Sequence, residues 1–351
     1  MQAKGQPNRR KRNEGRLDHP ARADDRIRFP AEFGRRFSVF VDTEEEFDWA
    51  RPRSRDATST SAVRHLPEFQ RLMDAHGIEP CYLIDYPVAD NAESGAVIAR
   101  LYAEGHCEVG TQLHPWVNPP ADEELNSINS FVGNLPSELE AAKIEVLTSR
   151  IASLMQGARP IIYRAGRYGI GPNTARLLVE AGYRADTSVR PHFDYSNEGG
   201  PTFLKYDARP YWAGPNGNLL ELPLGATYTG QLRRYGRWLI GDGRSNARRI
   251  ASLARFGLAA RVALTPEDMP IDDVKRAISC MLGDGIRFFS FSFHSPSLAP
   301  GHTPYVRNSA ELTRFYNWWD KVLDFLSAQG IAPASVRDVI DAAWASRGSG
   351  G

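Results

Sequence analysis

The sequence predicts an α/β protein built around a parallel sheet, and three observations carry this. From residue 37 to residue 345, short apolar runs alternate with segments of helical period, the pattern of strands joined by helical crossovers. About seven such units follow in one continuous series, which favours a barrel over an open sheet. Polar residues collect just after the strands, at Asp42, Glu44, His114, Arg164, Asp186, Glu221 and His294. In a parallel barrel or sheet all strand C-terminal ends share one face, so these scattered residues are expected to meet in one cleft. That convergence is the main physical argument for an enzyme.

Residues 37–41 (FSVFV) form a Val- and Phe-rich run that reads as a buried strand. Leu66, Phe69, Leu72 and Met73 give 63–76 a helical period, and Gly77 suits its C-terminal cap. Residues 80–84 (PCYLI) are the next strand and 92–104 the next helix. A short strand at 107–110 leads into Thr111-Gln112-Leu-His114-Pro-Trp116. A polar loop with Pro119-Pro120 fills 117–134, and 136–154 is a helix. The strand at 160–163 runs into Arg164-Ala-Gly-Arg-Tyr168, the helix at 172–181 closes on Gly182, and the strand at 183–189 carries Asp186 near its end. Residues 190–240 are rich in Gly, Pro and Tyr, with one strand inside them at 219–223. A helix at 245–256, a strand at 260–264 and a helix at 271–282 follow. Residues 287–293 (RFFSFSF) form the clearest strand, which ends on His294. An amphipathic helix at 309–328 and a last helix at 336–345 complete the pattern.

Composition bounds the rest. The chain has 351 residues, 42% hydrophobic and 24% charged, with a net charge of +1, so no strongly charged partner is implied overall and no nucleic acid is expected. Cys81, Cys107 and Cys280 are odd in number and widely spaced, which suits reduced thiols better than a disulfide framework. No apolar run approaches the roughly 20 residues that span a bilayer, and the N-terminus lacks the apolar segment of a secretory signal. A cytoplasmic protein without membrane insertion is the expectation. Residues 1–30 carry nine basic against four acidic side chains and few aliphatics, and are expected to form a disordered basic arm. Such an arm suits a solvated tail better than a nucleic-acid or lipid contact. The barrel is expected over 31–345 and a flexible Ser-Gly tail over 346–351.

The stretch after the first strand is the most informative. Asp42, Glu44, Glu45, Glu46 and Asp48 place five carboxylates within seven positions. An unpaired buried charge is too costly for the middle of a buried strand, so these acids belong at its exposed end. Strand side chains alternate faces, which sends Asp42 and Glu44 the same way. A solvated acidic loop and a metal or general-base site both fit that pattern.

With the segments in place, the chain resembles the polysaccharide deacetylase family, the NodB-homology carbohydrate esterases, and in particular its WalW-like branch. The resemblance covers about residues 36–335. It rests on Val41-Asp42-Thr-Glu44, on Gly105-His106-Cys-Glu108-Val-Gly110 leading to His114-Pro115-Trp116, on Arg164-Ala-Gly-Arg-Tyr168, on Asp186-Thr-Ser188, and on Ser292-Phe-His294-Ser-Pro296. It implies a distorted (β/α)7 barrel and removal of acyl groups from N-acetylated sugars, or hydrolysis of related C–N amide bonds, at a divalent metal such as zinc. By position, the resemblance makes Asp42 the catalytic base, His294 the general acid, Arg164 the partner that orients the base and Asp186 the partner that orients the acid. It makes Glu44 and His114 metal ligands. The second motif departs from the family, which brings two histidines to the metal: Gln112 stands two residues before His114, and no histidine lies two or four residues away. An amide oxygen is a weaker zinc ligand than an imidazole. The ligand set is then Glu44, His114 and Gln112, or one in which Glu45 or Glu46 takes part, or one suited to a harder ion. The alternatives are a carbohydrate-binding relative without catalysis and an assembly protein of the same fold in envelope polysaccharide metabolism. Trp116, Trp212 and Trp238 fit either sugar stacking or packing of a loop-rich lid. Arg233, Arg234, Arg237, Arg248 and Arg249 form a basic patch near it.

Overall fold

The structure is a computed structural model that describes residues 15–241 and 247–348. Its strands are β1 (Arg36–Thr43), β2 (Cys81–Ile84), β3 (Glu108–Leu113), β4 (Ile162–Ala165), β5 (Ala185–Asp186), β6 (Tyr211–Ala213), β7 (Leu219–Glu221), β8 (Ala226–Thr229), β9 (Ala260–Ala263), β10 (Phe288–His294) and β11 (Ala332–Pro333). Seven of them run parallel in the order β10-β1-β2-β3-β4-β5-β7, with β6 antiparallel on the β7 edge and β11 beside the start of β1. Between β7 and β10 there is no ladder. Two backbone bonds bridge the opening: Gly225 N–H donates to Ser290 O (3.0 Å) and Ser292 N–H to Leu264 O (3.2 Å). The result is the expected distorted (β/α)7 barrel, closed by a seam instead of a strand pair.

The helices are α1 (Leu66–Ala75), α2 (Tyr86–Asp90), α3 (Ala92–Glu104), α4 (Ser137–Leu154), α5 (Thr174–Glu180), α6 (Gly236–Ile240), α7 (Ala247–Arg255), α8 (Ile271–Gly283), α9 (Ser309–Ala328) and α10 (Val336–Gly348). The strand period of two divides their work. Val39, Val41, Tyr82, Ile84, Val109, Leu113, Phe291 and Phe293 face outward and pack with Phe69, Ile98, Leu147, Ile278 and Trp319 of the surrounding helices. Phe40, Cys81, Leu83, Ile162, Ala185, Leu220 and Phe288 face the barrel interior, where Val336, Val339, Ile340 and Ala343 of α10 close the floor. Continuing the inward series past this apolar floor gives Asp42, Asp85, Gln112, His114, Arg164 and His294 at the other end. Gly110 belongs to the same inward row, and a Cβ there would lie 2.6 Å from Leu83 Cδ2 and 2.7 Å from Ile162 Cγ2.

The expectation for the N-terminal arm divides. Residues 1–14 lie outside the described residues, as do 349–351 of the tail. Residues 15–30, expected to share the arm's disorder, instead lie along β6. Leu17 is fully buried and its carbonyl accepts from Tyr206 Oη (2.9 Å). Ile27 N–H bonds Pro210 O (2.9 Å), and Arg26 pairs with Asp207 (2.6 Å). The few apolar side chains of this basic segment find partners, and its backbone finds an edge strand to bond. Among the described residues no helix is long and apolar enough to cross a membrane.

Candidate active site

At the C-terminal ends of the strands lies a cavity of about 240 Å³, lined among others by Asp42, Glu44, Gln112, His114, Trp116, Arg164, Glu267 and His294. A larger groove, about 780 Å³, runs between residues 15–25 and 211–217, and none of the strand-end residues opens into it.

One side of the cavity pairs an acid with an imidazole. Asp42 (2% exposed) is the next-to-last residue of β1, and its Oδ1 accepts from Arg164 Nη1. Arg164 is itself anchored by Thr187, donating from Nε to the carbonyl (3.1 Å) and from Nη2 to the hydroxyl (3.2 Å). The other oxygen of Asp42 lies 3.8 Å from His294 Nε2. His294 ends β10 directly beside Asp42 in register. Its Nδ1 is 2.7 Å from Glu267 Oε2, while Glu267 Oε1 accepts from the His294 backbone N–H (3.1 Å) and from Ser297 Oγ (2.6 Å). Burial disfavours the imidazolium, but Glu267, Glu44 and Asp42 outweigh it and hold the His294 pKa at about 10. The ring is therefore protonated at neutral pH, with Nε2–H turned towards Asp42.

The other side is built on His114. Its Nδ1 lies 2.7 Å from Glu45 Oε2, and Glu45 Oε1 accepts from Trp116 Nε1 (2.7 Å). Burial keeps the ring neutral, although Glu44 and Asp85 act the other way. Glu45 as acceptor assigns the proton to Nδ1, which leaves the Nε2 lone pair facing Glu44 Oε2 (3.5 Å). Gln112 Nε2 reaches Glu44 Oε2 at 2.9 Å and His114 Nε2 at 3.3 Å. Burial pushes Glu44 up to about 7, with Asp42 and Asp85 adding to it and His294 and His114 opposing. Gly166 makes room for this ring, since a Cβ there would sit 2.2 Å from His114 Cδ2.

Two donor sets could hold a cation around this histidine. Glu45, Asp85 and His114 present ligand atoms within 4.8 Å of one another. Those atoms are already engaged: Asp85 accepts from Val88 N–H (2.9 Å) and Glu45 N–H (2.7 Å), and Glu45 from His114 and Trp116. Burial raises Asp85 well above the carboxylate range and Glu45 to about 8, and the hydrogen bond between them lets one proton serve both. This group orients His114. The cavity side differs, because Glu44 Oε1 and Gln112 Oε1 are buried without any hydrogen-bond partner. Orphaned buried acceptors are rare and costly, and a divalent cation shared with His114 Nε2 satisfies both once the Gln112 amide turns its oxygen inward. The residues present therefore fit such an ion.

The structure brings Asp42, Glu44, Gln112, His114, Arg164 and His294 together, but separates Asp186 from His294. Asp186 accepts from Ser188 N–H (2.9 Å) and Oγ (2.7 Å), and faces Glu221 across the β5–β7 register. The partner of His294 is Glu267 instead. Asp186 follows the inward Ala185 and pairs in register with the outward Tyr163, so it takes the other face of the strand, whereas the chain after β9 brings Glu267 to the cavity. Glu46, an alternative ligand, points away to Ser59 (2.7 Å) and Ser61 (2.8 Å). Sequence reasoning placed the strand at 260–264 but missed Glu267, because this acid lies in the loop after the strand and not directly at its end, on a two-stranded ribbon apart from the main sheet. It also passed over Asp85, although an acid directly after the 80–84 strand was the same signal that marked Asp42. Trp116 lines the cavity, whereas Trp212 packs on Trp344 (4.9 Å) and Trp238 is 75% exposed. None of the arginines of the basic patch lines the cavity.

No family model matches the chain, and no curated protein matches it by sequence. Solved structures do match in shape. A Parabacteroides distasonis protein provisionally described as a glycoside hydrolase/deacetylase superposes with a TM-score of 0.53 at 12% identity, over 86% of this chain and 69% of that one. A branching enzyme of Thermococcus kodakaraensis, solved with glucose, gives 0.50 at 12% identity over 88% and 71%. A Mycobacterium smegmatis protein provisionally described as a polysaccharide deacetylase gives 0.47 at 15% identity over 91% and 98%. At such identities the likeness concerns the fold: the chain shares the distorted β/α barrel of the first two structures.

Proposed function

We propose that the protein is a metal-dependent hydrolase that removes an acyl group from an N-acylated carbohydrate. The observation that carries this reading is the pairing of Asp42 and His294 across one cavity from the His114–Glu44–Gln112 set. The residue resemblance noted above and the barrel fold support the same reading.

Amide hydrolysis needs an activated water, a polarised carbonyl and a proton for the leaving amine. A divalent cation held by His114 Nε2, Glu44 and the Gln112 amide oxygen supplies Lewis-acid polarisation when bound. Asp42, fixed by Arg164, takes a proton from the attacking water. The C–N bond then breaks, and His294 gives the Nε2 proton to the departing nitrogen. Glu267 stabilises His294 in the charged form it needs before that transfer. The products are a carboxylate and a free amine.

The test is release of acetate, with formation of the free amino sugar, from a panel of N-acetylated sugars by protein supplied with Zn, Co or Mn. Asp42→Asn is expected to lower turnover about 10²–10⁴-fold, the range for loss of a positioned base. Turnover that survives both this change and chelation sinks the reading.

A second reading is binding without hydrolysis. It is favoured by the Gln112 amide nitrogen, which as placed already bridges Glu44 and His114. Metal content of protein purified without chelator separates the two. Near-stoichiometric metal supports catalysis, and none supports the binding protein.

A further inference from the structure

The cavity carries more positive charge than hydrolysis uses. Its cations are Arg53, Arg164, Arg167, Arg190 and the protonated His294. Three are committed to carboxylates: Arg164 to Asp42, Arg167 to Glu198 and His294 to Glu267. Arg53 and Arg190 are not. Among the described residues neither has a carboxylate within ion-pair distance. Glu44, Glu45 and Glu198 act on Arg53 only from farther away. In both arginines Nε is buried without a hydrogen-bond partner.

What holds these two side chains is aromatic. The Arg53 guanidinium lies 4.4 Å from the Phe47 ring centroid and 5.3 Å from that of Trp116. The Arg190 guanidinium lies 3.9 Å from Phe193 and 5.0 Å from Tyr168, and its Nη1 donates to Tyr195 Oη (3.0 Å). Ring faces stabilise a cation without neutralising it, and they set the plane of the guanidinium. A half-buried guanidinium left without an anion is unfavourable unless an anion arrives with the ligand. The planar fork matches carboxylate and phosphate oxygens two at a time. Arg53 also stands close enough to Arg167 to oppose its charge, a like-charge arrangement that an incoming anion relieves.

We propose that Arg53 and Arg190 form a receptor for an oxyanion carried by the substrate, so that the site takes acidic N-acylated sugars in preference to neutral ones. This rests on the hydrolase reading for the sugar and the acyl group, and adds the charge. The same recognition serves a carboxylate, as in a uronic acid or a lactyl ether, and a phosphate ester.

The experiment is calorimetric titration of the full chain with N-acetylglucosamine, N-acetylglucosamine 6-phosphate, N-acetylmuramic acid and N-acetylglucosaminuronic acid. At least one acidic sugar is expected to bind about tenfold or more tightly than the neutral one, the scale of one charge-assisted contact. The phosphate and carboxylate arms tell which oxyanion the receptor prefers. Arg53→Gln and Arg190→Gln are each expected to cut that ratio about tenfold, and Arg53→Lys, which keeps the charge and loses the fork, to cut it less. Arg53 lies half-buried on a rim loop, so its variants keep the test decisive if Arg190→Gln does not fold. Equal binding of acidic and neutral sugars overturns the receptor, and so does a preference that survives Arg53→Gln. Preferred binding of acidic sugars without acetate release from any sugar strikes the hydrolase reading and leaves the receptor standing. Acetate release confined to the neutral sugar does the reverse.

Discussion

His294 stands between two carboxylates that act on it differently. Asp42 lies 3.8 Å from Nε2, and Glu267 holds Nδ1 at 2.7 Å while also accepting from the same residue's backbone. The ring keeps its proton up to about pH 10 because these negative charges, Glu267 foremost, outweigh burial. The proposed acid is competent only while protonated, so kcat/KM should fall on the alkaline side as pH rises through about 10. Glu267→Gln removes a full charge and keeps an acceptor. The imidazolium then loses its strongest support while burial still opposes it, so the pKa drops and the alkaline limb moves to lower pH. The limb is read from the pH profile on an N-acetylated substrate, and NMR titration of the His294 ring reads the same pKa without catalysis. An unmoved ring pKa would show that Glu267 is not what holds the proton.

At the scale of elements, the inward row of the barrel explains both the site and how much of it the sequence disclosed. Phe40 and Asp42, Leu83 and Asp85, and Ile162 and Arg164 are successive inward positions, apolar below and polar above. The rule that all strand C-terminal ends of a parallel barrel share one face was therefore enough to forecast that the β1, β3, β4 and β10 ends meet. It was not enough for Glu267, whose ribbon leaves the main sheet, nor for Asp186, which stands at a strand end but alternates with inward Ala185 and so takes the outer face. The helices carry a separate cost. Glu140 on α4 is fully buried, its Oε1 accepts from Thr174 Oγ1, and its Oε2 has no partner. Burial lifts it to about 7, against the hydrogen bond from Thr174 and the charge of Arg176. In the unfolded chain it ionises near 4.5. Its folded pKa is the higher one, so stability is unaffected below about pH 4.5, is lost between there and about pH 7, and stays lower above. Glu140→Gln should stabilise the protein at pH 8 by up to about 3 kcal/mol, a ceiling set by some 2.5 pKa units at 1.36 kcal/mol each, and leave it unchanged at pH 4. Denaturant melts at the two pH values measure this, and equal shifts at both would exclude ionisation as the cause.

At the scale of the whole molecule, the seam between β7 and β10 links barrel closure to the chemistry. Gly225 N–H bonds Ser290 O, Leu264 N–H bonds Gly225 O (2.7 Å), and Ser292 N–H bonds Leu264 O. One short chain of backbone bonds thus ties the β8–β9 ribbon to β10, and three residues past Leu264 the same ribbon delivers Glu267 to His294. Only glycine fits at 225. A Cβ there would lie 2.6 Å from the Ser290 carbonyl oxygen and 2.5 Å from Leu264 Cδ1, and the first of these is backbone that cannot turn aside. Gly225→Ala must push the ribbon away from β10. Two consequences are expected together. The protein loses stability, on the order of 1–3 kcal/mol for overpacking a buried contact, read as a lower denaturant midpoint. The His294 pKa also falls, in the same direction as in Glu267→Gln but by less, because Glu267 is displaced and not discharged. A purely structural role for the seam predicts the first change without the second, so a destabilised Gly225→Ala protein with an unshifted His294 titration would detach barrel closure from the acid. In the double variant with Glu267→Gln, Gly225→Ala should still destabilise but move the pKa little further, since the charge it displaces is already gone.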